Sequence, residues 1–295
     1  MAIRTLLPRV RDRRTLVGTE LTEDRRQLLR FILGERGQLA LTVHGLERPI
    51  QVKVADNNDE WTQAFRLLTL NYQGRGYDAG GNDYRFTSFH ALPCTTVFVA
   101  KEGNTVCATM SLVADNVLLG LPMESLYRAE IQKLRQQGCR LGEVGSLAFA
   151  QLGLRSFTLV FEALCRLMFQ YHAAQGGDTW VITINPRHRA YYARTFGFNP
   201  LGPRRSYANV QGHPAEAYLV DRALMAARSP RMYRGVFGTA LPAAALEQSL
   251  MPTGLVRALA ARSTQTSLPF TDEILRYVRE TGSPRRWPVA VEKKS

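Results

Sequence analysis

The feature of this sequence that most restricts its fold is a long helical segment, beginning near Ser156, that is apolar on most of its sides. Its apolar positions are Phe157, Val160, Phe161, Leu164, Leu167, Met168 and Tyr171. A helix with so little polar surface is buried, and a sheet is the partner we expect to cover it. Ser156 is the predicted N-terminal cap, and Gly176-Gly177 mark the end of the helix.

The segments around this helix alternate between strand and helix patterns. β-branched or alternating runs predict strands at 39–43, 50–54, 95–101, 105–113, 140–149, 179–184, 207–210 and 215–221. Amphipathic stripes predict further helices at about 58–72, 123–137 and 186–196. From residue 50 to 221 the order is β-α-loop-β-β-α-β-α-β-α-β-β. This order favours an α/β fold with a mixed sheet, an α/β sandwich, over a doubly wound parallel sheet.

The two ends of the chain differ from this centre. Residues 1–48 form an Arg-rich N-terminal extension with one predicted helix, at about Thr22–Leu33. After Asp221 the pattern predicts short helices interrupted by prolines, because proline cannot continue a helix. We therefore expect an N-terminal extension at 1–48, a domain at 49–221 and a helical C-terminal extension at 222–295.

Charge narrows the classes of partner. The net charge is +13, yet residues 51–221 hold 16 basic and 14 acidic side chains, whereas residues 222–295 hold 12 and 5. An excess of this kind suits nucleic acid, an anionic membrane or an acidic protein. Because no helix-turn-helix, zinc-finger or RNA-binding signature accompanies it, we do not expect nucleic acid as a partner. Peripheral membrane contact stays open.

Cysteine usage and hydropathy bear on the compartment. The four cysteines (Cys94, Cys107, Cys139 and Cys165) are scattered, and no histidine lies at metal-ligand spacing. This predicts neither a disulfide framework nor a metal site, and favours a reducing cytoplasm. Residues 1–14 lack the apolar core of a signal peptide, and no run of 18 apolar residues predicts a membrane span.

Two groups of motifs carry a family resemblance. In the first, the strand ending at Ile184 leads into Asn185-Pro186, a helix containing Tyr192, and Gly197-Phe198. This part resembles the GCN5-related N-acyltransferase superfamily, where it forms one side of the acyl-donor cleft. The second group is Val97–Ala100, then Gly120–Glu124, a helix, and Gly142–Phe149. It resembles the N-acyl amino acid synthase family and, more distantly, the acyl-homoserine lactone synthases.

The resemblance implies amide formation, in which an amine attacks an acyl thioester. The thioester is carried on the phosphopantetheine arm of acyl carrier protein or on coenzyme A, with no tightly bound cofactor. The related synthases place a functional Glu where this chain has Glu143, which is therefore the candidate base or the residue that orients the amine. Ser146 and Tyr192 are the other candidate catalytic residues, Tyr192 as a partner of the donor sulfur. A Leu follows Ser146, where lactone synthases have Arg, which counts against that alternative.

Donor binding is expected where the Glu143 strand meets the buried helix. The resemblance implies donor contacts at Phe149, Gly153, Leu154, Arg155 and, from the next strand, Asn185. The loop between that strand and the helix, Gln151–Ser156, contains one glycine and lacks the full glycine signature of coenzyme A users. This favours a carrier protein, whose phosphopantetheine arm has a single phosphate. Residues 131–221 hold 10 basic and 5 acidic side chains, a surface suited to an acidic carrier protein.

The loop between Tyr72 and Pro93 is long for a compact domain, and such loops are often functional. We expect it to cover the acceptor amine. Arg75 or Arg85 would hold an amino acid carboxylate, and Asp78 or Asp83 its ammonium group. The histidines have no triad partner at recognisable spacing, and with Cys94 they are too loosely placed to predict a Cys–His nucleophile.

The leading prediction is therefore a long-chain N-acyltransferase that uses acyl carrier protein and acylates an amino acid or small amine. An acyl-homoserine lactone synthase and a coenzyme A-dependent N-acetyltransferase are the enzyme alternatives. A non-catalytic basic module that binds anionic lipid or nucleic acid is the alternative from a different class. Salt dependence of binding would separate that class from the enzymes.

Overall fold

The structure is a computed structural model that describes residues 29–33, 39–44, 46–78, 80–81 and 83–263. The described residues form one nine-stranded sheet with the order β1-β2-β3-β4-β5-β6-β7-β9-β8. Its strands are β1 Leu29–Leu33, β2 Leu39–Val43, β3 Ile50–Val54, β4 Thr95–Glu102, β5 Thr105–Ala114, β6 Leu141–Phe149, β7 Thr179–Ile184, β8 Asn199–Tyr207 and β9 His213–Asp221. Among these strands β6 and β7 are the parallel pair, and all other neighbours are antiparallel.

Helices cover both faces of the sheet. In the described part they are α1 Asn58–Gln73, α2 Glu124–Gln136, α3 Leu154–Ala174, α4 Arg189–Phe196, α5 Arg222–Arg228, α6 Pro230–Phe237 and α7 Thr253–Ala261. The alternation along β4 shows how they are divided: Phe98 packs in the cluster around α3, whereas Val97 and Val99 pack with α1. Apart from the gaps in the described ranges, no helix here is both long and apolar enough to cross a membrane.

The mixed α/β class predicted from the sequence is confirmed, and so is the burial of α3. Thirteen residues of α3 are buried, on several sides of the helix. The cap prediction was wrong: α3 begins at Leu154 after Gly153, with no side-chain cap. Gly153 has no side chain, so it cannot accept a hydrogen bond from the first N–H groups of α3 as a serine cap would.

Two other predictions need correction. The predicted helix Thr22–Leu33 is wrong over its last five residues, because Leu29–Leu33 form β1, paired antiparallel with β2; its first part lies outside the described residues. The predicted strand at 207–210 is also misplaced. Asn199–Tyr207 form the strand, and Ala208–Val210 form a 3₁₀ turn that leads to β9. In both places tertiary pairing overrode the local pattern.

The C-terminal helices share the core of the sheet domain. Met225 of α5 and Val236 of α6 lie in the same apolar cluster as α3, and Val256 and Leu259 of α7 pack with α1. The side-chain amide of Gln170 in α3 donates to the carbonyl oxygen of Thr239 (2.9 Å) and accepts from the backbone N–H of Leu241 (2.7 Å). Apolar packing and these hydrogen bonds join the two parts.

Candidate active site

The candidate site forms where β6 and β7 separate. Their parallel pairing runs from Leu141 opposite Thr179 to Val144 opposite Ile182 and then stops. Both strands continue, β6 to Phe149 and β7 to Ile184. Beyond the last pair, the two strands leave a gap in the sheet, and side chains from both strands line the cavities that open there.

Two cavities meet at this gap. The first, called here the polar cavity, has a volume of about 420 Å³ and is lined by residues that include Arg85, His90, Ser111, Glu143, Asn185 and Tyr207. The second, called here the apolar cavity, measures about 110 Å³ and is lined by residues that include Met110, Phe161, Met168, Tyr192, Phe196 and Phe198. They share Tyr72, Val144, Gly145, Ser146, Thr183 and Ile184. A ligand with one polar and one apolar part would fill both.

A bulge in β6 shapes the shared wall. Opposite β5, Thr109 pairs with Ala148 while Ser111 pairs with Gly145, so β6 has one residue more than β5 over this stretch. Ser146 lies in the extra segment with φ = +52°, a left-handed backbone that residues other than glycine seldom adopt. The bulge interrupts the ladder between two cavities, where a bound molecule has access to the backbone of β6.

Glu143 is buried in the polar cavity, with 6% of its surface exposed. Its Oε2 accepts a hydrogen bond from the backbone N–H of Met123 at 2.7 Å. Burial disfavours the carboxylate and raises the pKa of Glu143 to about 8, although the Met123 hydrogen bond lowers it. A carboxyl group with this pKa exchanges protons readily near neutral pH, as a general base must.

The segment that supplies the Met123 N–H is held by Arg135 of α2. The Arg135 guanidinium donates to both carboxylate oxygens of Asp115, each at 2.7 Å, and also binds Glu124. Asp115 and Glu124 bracket the segment that contains Met123. Burial lowers the pKa of Arg135, but the hydrogen bonds and charges of Asp115 and Glu124 together raise it by more. The net result is a pKa above the usual range of arginine. Arg135 therefore fixes the partner of Glu143 without entering the cavity.

His90 lines the polar cavity, although the sequence assigns it no role there. It lies in the 3₁₀ turn Ser88–Ala91, and its Nε2 is 2.9 Å from the Oγ of Ser146. Its Nδ1 accepts from the backbone N–H of Thr87 at 3.0 Å. Burial, with the nearby charge of Arg85, lowers the pKa of His90 to about 3, so the imidazole is neutral at physiological pH. No spacing rule links residues 90 and 146, because the fold alone brings them together.

Arg85, one of the two arginines predicted to hold the acceptor carboxylate, lines the polar cavity from the long loop. Its guanidinium donates to the carbonyl oxygen of Asn209 (2.6 Å), pairs with Asp78 (3.3 Å) and lies 4.1 Å from the ring centre of Tyr72. Asp78 is almost fully buried and also accepts from the N–H of Gly80. Asp78 does not line the cavity, so it supports Arg85 rather than facing a ligand.

Two buried hydroxyl groups in the cavity walls have no hydrogen-bond partner among the described residues. They are the Oγ of Ser111 on β5 and the Oγ1 of Thr183 on β7. An unpaired buried hydroxyl is costly, by roughly 1–3 kcal/mol. Both hydroxyl groups lie in the wall of the polar cavity, on either side of β6, where they can hydrogen-bond to a molecule in that cavity.

The remaining predicted residues divide into two sets. Asn185 lines the polar cavity; its Nδ2 donates to the hydroxyl of Tyr77 (3.4 Å). Tyr192 lines the apolar cavity, 6.0 Å from the ring centre of Phe198, and burial raises its pKa. Both residues therefore stand at the gap, on different sides of it.

The other predicted donor and acceptor contacts do not line either cavity. Phe149 is core, packed against Phe157 at 4.6 Å between ring centres. Gly153, Leu154 and Arg155 are exposed at the start of α3. Arg75 lies outside the cavities. Tyr207, to which the sequence assigned no role, does line the polar cavity, and burial, with a smaller contribution from the nearby Glu143, raises its pKa.

A family model and a solved structure both relate this chain to the N-acyl amino acid synthase FeeM. The family model for the N-acyl amino acid synthase FeeM matches residues 63–221. Among solved structures, the chain is similar to FeeM, an N-acyl amino acid synthase from uncultured soil microbes, at 27% identity and a TM-score of 0.53. The alignment covers 61% of this chain and 94% of that one. Both cavities are lined by residues within the matched segment.

More distant similarities include two acyl-homoserine lactone synthases. LasI has 16% identity and a TM-score of 0.48, over 65% of this chain and 96% of LasI. The coenzyme A-dependent BjaI, solved with SAM and isopentyl-CoA, has 15% identity and a TM-score of 0.45, over 71% of this chain and 99% of BjaI. Among curated protein sequences, none matches this chain significantly.

Proposed function

Because this chain belongs to the family of N-acyl amino acid synthases represented by FeeM, and is an N-acyltransferase, we propose that it joins a long-chain acyl group to the amine of an amino acid or similar small amine. The acyl group arrives as a thioester on the phosphopantetheine arm of acyl carrier protein. Family membership confirms the resemblance inferred from the sequence, the fold class and the enzyme class. The donor and the acceptor are what we propose.

One arrangement supports the proposal above all others. A polar cavity with a buried carboxyl group adjoins an apolar cavity along Val144–Ser146 of β6. An amine and a fatty acyl group have these opposite requirements, and a thioester carbon at the boundary would face both. Holding the two reactants together in this way supplies much of the rate acceleration that acyl transfer needs.

The reaction uses few side chains. The amine attacks the thioester carbon, a C–N bond forms and the carbonyl electron pair moves to oxygen. Ionised Glu143 takes the proton that the amine loses. When the tetrahedral intermediate collapses, the electron pair on oxygen re-forms the carbonyl, the C–S bond breaks, and the thiolate leaves and takes up the proton that Glu143 received from the amine. Amide and free phosphopantetheine thiol are the products.

For the acceptor, Arg85 is the cation in the wall of the polar cavity that suits a carboxylate. Its bonds to Asp78 and Asn209 hold the guanidinium in place before a ligand arrives. An amino acid would set its carboxylate on Arg85 and direct its amine to Glu143. Arg75, predicted as an alternative for the carboxylate, and Asp78, predicted for the ammonium group, do not line either cavity, and the proposal does not use them.

For the donor, the exposed start of α3 supports a carrier protein. A Cβ atom at Gly153 would meet no other atom within 4 Å, so the helix N-terminus is open to a ligand. Arg155 stands in the first turn and is exposed. Helix N–H groups and one arginine suit the single phosphate of phosphopantetheine. Leu154, 61% exposed, adds an apolar contact for the partner protein.

The test is to incubate the purified full-length chain with palmitoyl-acyl carrier protein and a panel of amino acids, and to detect N-acyl products by mass spectrometry. We expect Glu143→Gln to lower kcat about 100-fold or more, since general base catalysis contributes about that much. Glu47→Gln, at an exposed position, is the matched control and keeps wild-type activity. Palmitoyl-coenzyme A as donor should give a much lower kcat/KM.

Three outcomes contradict parts of the proposal. No N-acyl product from any amine in the panel rejects the acceptor class. A higher kcat/KM with palmitoyl-coenzyme A than with the carrier protein rejects the donor. Equal activity of Glu143→Gln and Glu47→Gln rejects the role of Glu143.

A further inference from the structure

We propose that His90 is a positioning residue that fixes the Ser146 hydroxyl as a hydrogen-bond donor toward the oxyanion of the acyl-transfer intermediate. This inference deepens the proposed function and rests on it. It concerns the contact between the 3₁₀ turn at Ser88–Ala91 and the bulge of β6, which meet in the wall of the polar cavity.

The tautomer of His90 follows from its hydrogen bonds. The backbone N–H of Thr87, 3.0 Å from Nδ1, can only donate, so we assign Nδ1 no proton; the Oγ1 of Thr87, 2.9 Å from Nδ1, can then donate to the same nitrogen. A neutral imidazole then carries its proton on Nε2. That proton lies on the hydrogen bond to the Oγ of Ser146, 2.9 Å away, and His90 is the donor.

The ring of His90 packs against two phenylalanine rings that also contact each other. Its centre is 4.9 Å from that of Phe65 and 5.8 Å from that of Phe86. The neighbouring Arg85 disfavours a second proton on the imidazole, because two positive charges would then lie close together in a buried site. His90 therefore stays neutral and donates a hydrogen bond to Ser146 through Nε2.

The consequence for Ser146 is directional. Its Oγ already accepts from His90, so its own hydrogen points to another acceptor. Ser146 lines both cavities at their boundary, where the thioester carbonyl is proposed to lie. The left-handed backbone of Ser146 would suit glycine better, and a serine there supplies a hydroxyl group that glycine lacks.

The same geometry argues against a serine nucleophile. Activation of Ser146 requires a base that takes its proton, and the one bare nitrogen of His90 is occupied by the Thr87 N–H. The acyl group thus passes directly from sulfur to the amine. Ser146 donates a hydrogen bond while the carbonyl electron pair resides on oxygen and makes no covalent bond itself.

The experiment is a double-mutant cycle on the full-length chain with the assay described above. Ser146→Ala removes the donor, His90→Phe keeps a ring of similar size and removes the orienting N–H, and the third variant combines both. We expect each single variant to lower kcat about 100-fold, the usual cost of one oxyanion donor, with little change in KM. The double variant should lose no more than Ser146→Ala alone, because His90 acts through Ser146.

A conservative variant separates positioning from folding. His90→Gln places an amide N–H near the former Nε2 position and should recover most of the kcat that His90→Phe loses. Thermal unfolding of every variant shows whether an activity loss reflects a loss of fold. In the wild type, ¹⁵N NMR of the His90 imidazole should show a bare Nδ1 and a protonated Nε2 across neutral pH.

The outcomes are distinguishable. Full activity of folded His90→Phe, or equal losses for His90→Phe in the wild-type and Ser146→Ala backgrounds, overturns the inference. So does an acylated Ser146 trapped by rapid quench and found by mass spectrometry, or a protonated Nδ1. If the wild type forms no N-acyl product, the proposed function fails and the oxyanion role fails with it. The NMR result still decides the His90–Ser146 geometry in that case.

Discussion

At the scale of single residues, burial moves two titratable groups of the polar cavity in opposite directions. It raises the pKa of Glu143 to about 8 and lowers that of His90 to about 3, because a desolvated site disfavours the charged form of each. Both groups are therefore largely neutral at pH 7. Of the two, only Glu143 changes its charge near physiological pH.

This predicts the pH dependence of the reaction. As pH rises toward 8, Glu143 loses its proton and becomes the base, so kcat/KM should rise across that range. The acceptor amine also loses its proton with rising pH, and the Glu143→Gln variant reports that contribution alone. The ratio of the two profiles should show a step near pH 8. Profiles that stay parallel would exclude Glu143 as the titrating base.

The contribution of Glu143 to the stability of the fold should change with pH in the opposite direction and fall as pH rises. Between about pH 4.5 and 8 the folded chain keeps a proton on Glu143 that the unfolded chain has lost. The folded state binds more protons there, so this group's contribution to stability is present below pH 4.5 and is lost as pH rises through 8. The variant Glu143→Gln cannot titrate at this position, so its melting temperature should rise relative to that of the wild type between pH 5 and pH 8. A constant difference between the two melting temperatures would contradict the shift.

At the scale of elements, the irregular segment Asp115–Met123 before α2 positions the backbone N–H that binds Glu143. Asn116 holds its turn, accepting from the N–H of Leu119 at 2.8 Å. Arg135 then ties the two ends of the segment to α2 through Asp115 and Glu124. The result is a rigid support for the Met123 N–H that binds Glu143.

Removing this support should cost stability. We expect Arg135→Met to lower the free energy of unfolding by about 3 kcal/mol, because it removes the guanidinium that pairs with two mostly buried carboxylates. Arg140→Met is the matched control: Arg140 pairs with Asp178 at 2.9 Å, but both side chains are more than a third exposed. That change should cost less than about 1 kcal/mol. Urea unfolding of both variants measures the difference, and equal losses would show that the buried cluster adds nothing.

At the scale of the whole molecule, residues 222–263 are part of one core with the sheet. Met225 is fully buried in the cluster that contains α3, and the exposed Leu250 lies in the same C-terminal segment. The proline-interrupted sequence after Asp221 predicts a separate helical extension. Its described residues contribute buried side chains on both faces of the sheet.

A shared core predicts a single unfolding transition. Met225→Ala should lower the stability of the whole chain by about 2–5 kcal/mol, the usual cost of such a core truncation. Leu250→Ala should change it by less than about 0.5 kcal/mol, since Leu250 is 59% exposed. Circular dichroism and tryptophan fluorescence should give coincident curves for both variants. A separate early transition confined to one probe would show that the C-terminal helices unfold independently.

Much of the fold was predictable because it depends on local periodicity. The β-branched runs within Thr95–Val113 and the apolar surface of the helix after Ser156 are properties of neighbouring residues, and the hairpin and buried helix follow from them. The misplaced strand at 207–210 shows the limit of that information. Pro200 and Pro203 weaken the strand pattern of Asn199–Tyr207, which pairs with β9 all the same.

The candidate site divides in the same way. By itself, the sequence determined the strand that carries Glu143 and Ser146, the family resemblance and the loop that carries Arg85. Tertiary structure alone decided that β6 separates from β7 after Val144, that burial shifts the pKa of Glu143, and that His90 meets Ser146 across 56 residues. The physical reason is that periodicity reports each residue's own element, whereas desolvation and hydrogen bonding depend on which elements the sheet brings together.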